Sequence, residues 1–343
     1  MVKDNIIFFD SSRKKKSKSF FPSSPKTIPW VEKYRPRTTE DIISNNIIKT
    51  KIKTIIKDGF MPNLIITGSP GTGKTSTILC IAKKLIQKNY DEAVLELNAS
   101  DDRGLNMINN NIMHFCKKKI DNVIHKIVIF DEADSITSKA QNLLNNILEE
   151  YINTTRFAFI CNDCSKITES IQSRCIILRF PRLDNISIKE RVTYICEKES
   201  IEYTDDGIEA LIFTANGDIR QAINNLESIF NTYGKLTNET LFKICDKPKP
   251  YFIKSIFKHC MDNNIFEAMK IIIELKNLGY SGNDILLTMI NMIKNNYKIE
   301  LSDEHNIKFM KEISNTYITV NNGTDTLLQL TGCISRIVSK INY

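Results

Sequence analysis

Gly68-Ser69-Pro70-Gly71-Thr72-Gly73-Lys74-Thr75-Ser76-Thr77 packs three glycines around one lysine and follows the lysine with hydroxyl side chains. A solvent loop has use for the glycines but none for a lysine and a threonine at fixed offsets. The apolar run Leu64-Ile65-Ile66 precedes the stretch and reads as a buried strand. Ile78-Leu79-Cys80-Ile81-Ala82-Lys83-Lys84-Leu85 follows it with helical periodicity. The stretch is therefore a strand-to-helix turn.

Such a turn suits phosphate. Glycines let successive N–H groups point inward, and the helix N-terminus adds partial positive charge. Gly68-x-x-x-x-Gly73-Lys74-Thr75 satisfies the P-loop pattern in full. Lys74 is expected to reach the β- and γ-phosphates of a nucleotide, and the Thr75 hydroxyl to ligate Mg²⁺.

The 343-residue chain has room for two or three domains, and its 42% hydrophobic and 25% charged content is ordinary for a soluble globular protein. No apolar run is long enough to cross a bilayer. The basic N-terminus lacks the apolar segment of a secretory signal, so an intracellular protein with no membrane partner is expected. The nine cysteines follow no framework of spacings, which suits buried free thiols. Cys161-x-x-Cys164 has no second pair or histidines to complete a zinc site.

The net charge of +7 is uneven: residues 1–26 hold seven basic and two acidic residues, +5, leaving +2 for the rest. This Ser- and Lys-rich stretch is expected to be a disordered basic tail, serving nuclear import, nonspecific nucleic-acid contact or solubility.

From Ile28 to Phe180, strand-like runs alternate with helical ones. The strand candidates are Leu64–Thr67, Val94–Leu97, Lys126–Phe130, Phe157–Cys161 and Ile176–Phe180. Alternation of this kind predicts an α/β domain over 27–180, a parallel sheet with helices on both faces and a ligand at the carboxyl ends of its strands. After Pro181 the strand signal stops. Residues 184–201, 204–216 and 218–233 read as amphipathic helices of a small all-α domain over 181–247. Lys247-Pro248-Lys249-Pro250 is a break, and about five more helical segments predict a second all-α domain over 248–343.

Ile127-Val128-Ile129-Phe130 runs into Asp131-Glu132-Ala133-Asp134, which places carboxylates at the rim where phosphates would lie. Asp131 is expected to hold Mg²⁺ through water, and Glu132 to orient and deprotonate an attacking water. Phe157–Cys161 delivers Asn162 to the same rim, where an amide can help position that water. Arg174, just before the last strand, would project from the domain edge, away from its own nucleotide. Arg220, near the start of a helix after Gly217-Asp218, could fold back onto the γ-phosphate.

These segments occur in order as Pro29-Trp30-Val31-Glu32-Lys33-Tyr34-Arg35-Pro36, the P-loop, "LELNASDDRG", "FDEAD", "SRC" and "GDIRQAINNLE". The set resembles the small subunits of the replication factor C clamp loader, in the AAA+ ATPase superfamily. The likeness covers residues 28 to 233 by motif and the remainder by pattern. It implies a P-loop AAA+ domain followed by an all-α lid and an all-α collar, with ATP and Mg²⁺ as cofactors. Val31 and Arg35 match positions lining the nucleotide site, Gly68 through Ser76 the phosphate loop, and Asp131 and Glu132 Walker B. Asn162 matches sensor 1 and Arg220 sensor 2. Arg174 matches the arginine finger that acts on ATP bound to a neighbouring subunit.

The implied partners are other loader subunits in a hetero-pentamer, a ring-shaped sliding clamp and primer–template DNA. The implied location is the nucleus or another site of DNA replication. An ATP-binding structural ring subunit with little hydrolysis would be expected to have lost Lys74, Asp131 or Glu132, and all three are intact. A protein-remodelling AAA+ enzyme would be expected to carry an aromatic pore-loop motif and would have no need of "SRC". Two departures concern DNA: Asn109 stands where the family usually has a basic residue, and Asn145-Asn146 where it has an arginine pair. Finally, Asn109-x-x-Ile112-x-x-Phe115-Cys116 resembles the peptide that plugs the clamp's hydrophobic pocket. Ile112 and Phe115 share a helical face, as clamp anchors or as a stripe packed on the sheet.

Overall fold

The computed structural model describes residues 28–100, 111–120, 123–297 and 301–341. The basic tail over 1–26, Arg103-Gly104 and Asn109 lie outside the described residues.

Five parallel strands form the central sheet: β1 Leu64–Gly68, β2 Val94–Asn98, β3 Lys126–Asp131, β4 Thr155–Cys161 and β5 Ile176–Phe180. Their order is β2-β3-β4-β1-β5. All five coincide with the strand-like runs of the sequence, because a parallel sheet covered on both faces demands near-continuous apolar strands.

The two faces are sorted by the period-2 alternation of side chains. Ile65, Val128, Phe130, Phe157 and Phe159 point to one face, where Ala140, Leu144, Ile147 and Leu148 of the helix Ser138–Glu150 cover them. Phe130 and Phe159 stack there with centroids 5.1 Å apart. Leu64, Ile66, Ile127, Ile129 and Ile160 point to the other face, against the helices Asn46–Asp58 and Lys74–Ile86.

Ile112 and Phe115 belong to the first face, which corrects the clamp-anchor expectation. Ile112 is 0% exposed within the sheet core, and Phe115 packs half-buried against the same cluster. Buried Lys126 holds the segment down, donating from Nζ to the carbonyls of Phe115 at 2.9 Å, Cys116 at 2.5 Å and Lys118 at 2.7 Å. The i, i+3 stripe is present, but apolar burial against the sheet uses it.

After Phe180 the helices Asn185–Lys198, Asp205–Ala215 and Ile219–Tyr233 pack on a core that includes Trp30 from the N-terminal segment. Two features escape the sequence pattern. Glu202–Tyr203 and Lys235–Leu236 pair as a short parallel ladder, and Asn238–Ile244 adds a helix capped by Thr237. Gly234, at φ 74°, ends the preceding helix and turns the chain into that ladder. A two-residue strand is too short to show alternation.

Five further helices, Pro250–Met261, Ile265–Asn277, Gly282–Lys294, Asp303–Asn321 and Leu327–Ile341, enclose a separate core around Phe257 and Phe309. Phe213 of the preceding helical unit reaches this core and stacks on Tyr297 at 4.3 Å.

Candidate nucleotide site

β1 lies between β4 and β5, and β3 lies beyond β4, so the carboxyl ends of β1, β3 and β4 open onto one crevice. The P-loop leaves β1 there. Gly73 caps the following helix at φ 87° and Gly71 turns at φ 69°, both in the left-handed region that glycine alone enters freely. Gly71 is also needed for space, since a Cβ there would sit 1.7 Å from the Asp218 carboxylate.

The phosphate half of the cleft is lined by Pro70 through Ser76, Asp131, Glu132, Asn162 and Arg220. Lys74 is 8% exposed. An ammonium has three donors. Here they reach the carbonyls of Gly68 at 2.7 Å and Ser69 at 2.9 Å and the Asn162 side-chain oxygen at 3.0 Å. Burial pushes the Lys74 pKa down, while the Asp131 carboxylate pulls it back up. Asn162 is set in turn by neighbours that sequence reasoning missed. Its carbonyl accepts from the Thr67 hydroxyl at 3.3 Å, and its N–H donates to Asp134 at 3.4 Å.

The Thr75 hydroxyl donates to Asp131 Oδ2 at 3.0 Å, and the other carboxylate oxygen accepts the Glu132 N–H at 2.9 Å. A hydroxyl beside a carboxylate is a hard-oxygen pair, the donor chemistry Mg²⁺ prefers. Glu132 is exposed and sits at φ 53°. A non-glycine residue in this region marks a position that the surroundings over-determine.

The other half, where a base would lie, is lined by Val31 and Arg35, by Thr72, Ser76 and Arg220, whose expected place was against the phosphates, and by Tyr34, Ile43, Arg191 and Ile223, which the sequence did not single out. Arg35 Nε donates to Ser76 at 3.3 Å and Nη1 pairs with Glu32 at 3.2 Å. Arg220 lines both halves. It arrives on the helix Ile219–Tyr233, whose first N–H donates to the Gly71 carbonyl at 3.3 Å. The helical unit thus touches the phosphate loop directly.

Arg174 is not brought to this cleft. It is exposed, donates to the Ser170 carbonyl at 2.9 Å and forms an ion pair with Glu149. Asn145 and Asn146 lie on the helix Ser138–Glu150, half-buried and exposed respectively.

The family described as replication factor C C-terminal domain matches residues 248–336. The family of ATPases associated with various cellular activities (AAA) matches residues 64–182. The chain is 44% identical to replication factor C subunit 4 of Schizosaccharomyces pombe over 90% of this chain and 91% of that one. It is 43% identical to replication factor C subunit 4 of Saccharomyces cerevisiae over 90% and 95%. It is also 43% identical to replication factor C subunit 2 of Arabidopsis thaliana over 90% and 92%. In fold it is similar to the Thermotoga maritima RuvB Holliday junction branch migration motor, with a TM-score of 0.52 at 16% identity, over 66% of this chain and 78% of that one.

Proposed function

The chain belongs to the replication factor C family of AAA+ ATPase subunits, the clamp-loader components of DNA replication, and from that premise we propose that it hydrolyses ATP as a small subunit of such a loader. The base would occupy the pocket of Val31 and Arg35, and the phosphates the loop Gly68 through Ser76. Lys74 and Arg220 meet the β- and γ-phosphates. Glu132 orients the attacking water and accepts its proton, and Asn162 holds Lys74 in register. Thr75 and Asp131 would hold Mg²⁺, which when bound neutralises charge on the phosphates.

Arg174 acts in trans in this reading, on ATP bound by the adjacent subunit of a hetero-pentamer. The ring opens a sliding clamp and places it on primer–template DNA in the nucleus or another site of replication. Residues 27–180 serve as the nucleotide domain, 181–247 as the lid and 248–343 as the collar. Phosphate contacts carry much of DNA affinity. With Asn145-Asn146 uncharged, neighbouring subunits carry more of the DNA grip.

The observation that supports the reading is the gathering of Lys74, Thr75, Asp131, Glu132 and Asn162 at three strand ends, with Thr75 and Asp131 in hydrogen-bond contact at 3.0 Å. Glu132→Gln in the assembled loader tests it. The variant should bind ATP as tightly as the native subunit and retain it unhydrolysed. Hydrolysis at an unchanged rate would sink the assignment.

A further inference from the structure

We infer that Arg191 is a positioning residue for the base half of the nucleotide site, holding the Trp30–Pro36 segment in place as the wall against which the base is read. The inference rests on the nucleotide-site reading above and adds a residue to it.

Trp30–Pro36 is a strap with two sets of anchors. On one side it is tied to the lid helices. The Trp30 N–H donates to Glu227 at 3.0 Å, Lys33 pairs with Glu199 at 2.5 Å, and the Tyr34 hydroxyl donates to that same Glu199. The Trp30 ring packs on Phe230 with centroids 5.3 Å apart. On the other side the strap is tied to the helix that follows the P-loop. Arg35 Nε donates to Ser76 at 3.3 Å, and the Cys80 thiol donates to the Pro36 carbonyl at 3.4 Å. The strap therefore spans the two bodies that enclose the base pocket.

Among the lid residues that hold the strap by hydrogen bond or ion pair, Arg191 also lines the pocket. It projects from the helix Asn185–Lys198, and its Nη2 donates to the Tyr34 carbonyl at 2.5 Å. Tyr34 is the C-cap of the short helix Trp30–Lys33, so its carbonyl has no partner within that helix. A guanidinium donor makes a charge-assisted bond with a fixed direction. The guanidinium also lies 5.4 Å from the Tyr194 ring. A ring and a carbonyl thus limit where this side chain can sit.

A residue acting on the strap alone weakens binding of the base and leaves the phosphate contacts intact. The test uses the full chain, with a fluorescent ATP analogue and inorganic tripolyphosphate as a competitor that sees only the phosphate half. Arg191→Ala should weaken analogue binding about tenfold, the scale expected when one charge-assisted hydrogen bond is lost. Tripolyphosphate affinity should stay within twofold, and the preference for ATP over GTP should narrow. In the assembled loader, KM should rise while kcat at saturating ATP stays within twofold. Arg191→Lys keeps a donor and the charge and should recover most of the loss. Should Arg191→Ala fail to fold, Tyr194→Leu removes the ring beneath the guanidinium and should move the same readouts in the same direction. Unchanged ATP affinity, or equal weakening of ATP and tripolyphosphate, overturns the inference. A native chain that binds neither compound would instead overturn the nucleotide-site reading itself.

Discussion

Lys74 Nζ lies 3.0 Å from the side-chain oxygen of Asn162, joining the loop after β1 to the residue after β4. The two residues are 88 positions apart in the chain. Their contact ties the loop lysine to the amide, and under the proposed function it assigns different consequences to the loss of either partner.

Lys74→Ala removes a charged contact to phosphate. ATP affinity should fall by a factor of about 10 to 150, the range for losing a hydrogen bond to a charged group. Asn162→Ala leaves Lys74 with its two backbone acceptors, so ATP affinity should fall less than threefold while kcat drops at least tenfold, since positioned polar groups act mainly in the transition state. Equilibrium nucleotide titration beside steady-state turnover separates the two. Equal losses of affinity would contradict the division of labour.

Arg174 pairs with Glu149 of its own chain at the domain edge and lines neither half of its own cleft. In a mixed assembly Arg174→Ala should leave ATP binding by its own subunit intact and slow hydrolysis at the adjacent site. Arginine fingers of GTPases are worth about 10³–10⁵ in rate, which sets an upper bound here. The check is turnover with one subunit at a time rendered hydrolysis-deficient. Impairment confined to the variant's own site would rule out the trans role.

Ile112 is buried between sheet and helix, so Ile112→Ala should cost about 2–5 kcal/mol of folding stability. Phe115→Ala, at a half-buried position, should cost less. Chemical denaturation reads the losses directly. A stability indistinguishable from the native chain, together with weakened clamp binding, would restore the anchor reading that the core packing displaces.

His125 is 4% exposed beside the Phe60 ring, and among the described residues neither of its ring nitrogens has a hydrogen-bond partner. Burial, with a smaller contribution from Arg156, pushes its pKa down to about 4. The folded state therefore resists protonation that the unfolded chain accepts near its ordinary value of about 6.5. Stability from this group is full above about pH 6.5 and drains as pH falls toward about 4, a loss on the order of 2 kcal/mol at pH 5. His125→Leu should flatten the fall in melting temperature between pH 7.5 and pH 5. An undiminished fall would assign the acid sensitivity to other groups.

The strand, turn and helix around Gly68–Thr77 and all five sheet strands were legible in the sequence because their determinants are local. Apolar runs and glycine spacing act over ten residues or fewer. The pocket proposed for the base was legible only in part. Val31 and Arg35 came from resemblance, whereas Tyr34 and Arg191 emerged only when the chain closed on itself, 157 residues apart. The same limit applies to Ile112 and Phe115. An i, i+3 stripe encodes an apolar face but not what covers it, and only the sheet's position decided that these residues are core. The sequence by itself determined a phosphate-binding turn on a parallel sheet, since backbone conformation and hydrophobic period are properties of short segments. The tertiary structure alone decided which distant side chains share the cleft, because hydrogen bonds between remote positions depend on packing that no local period records.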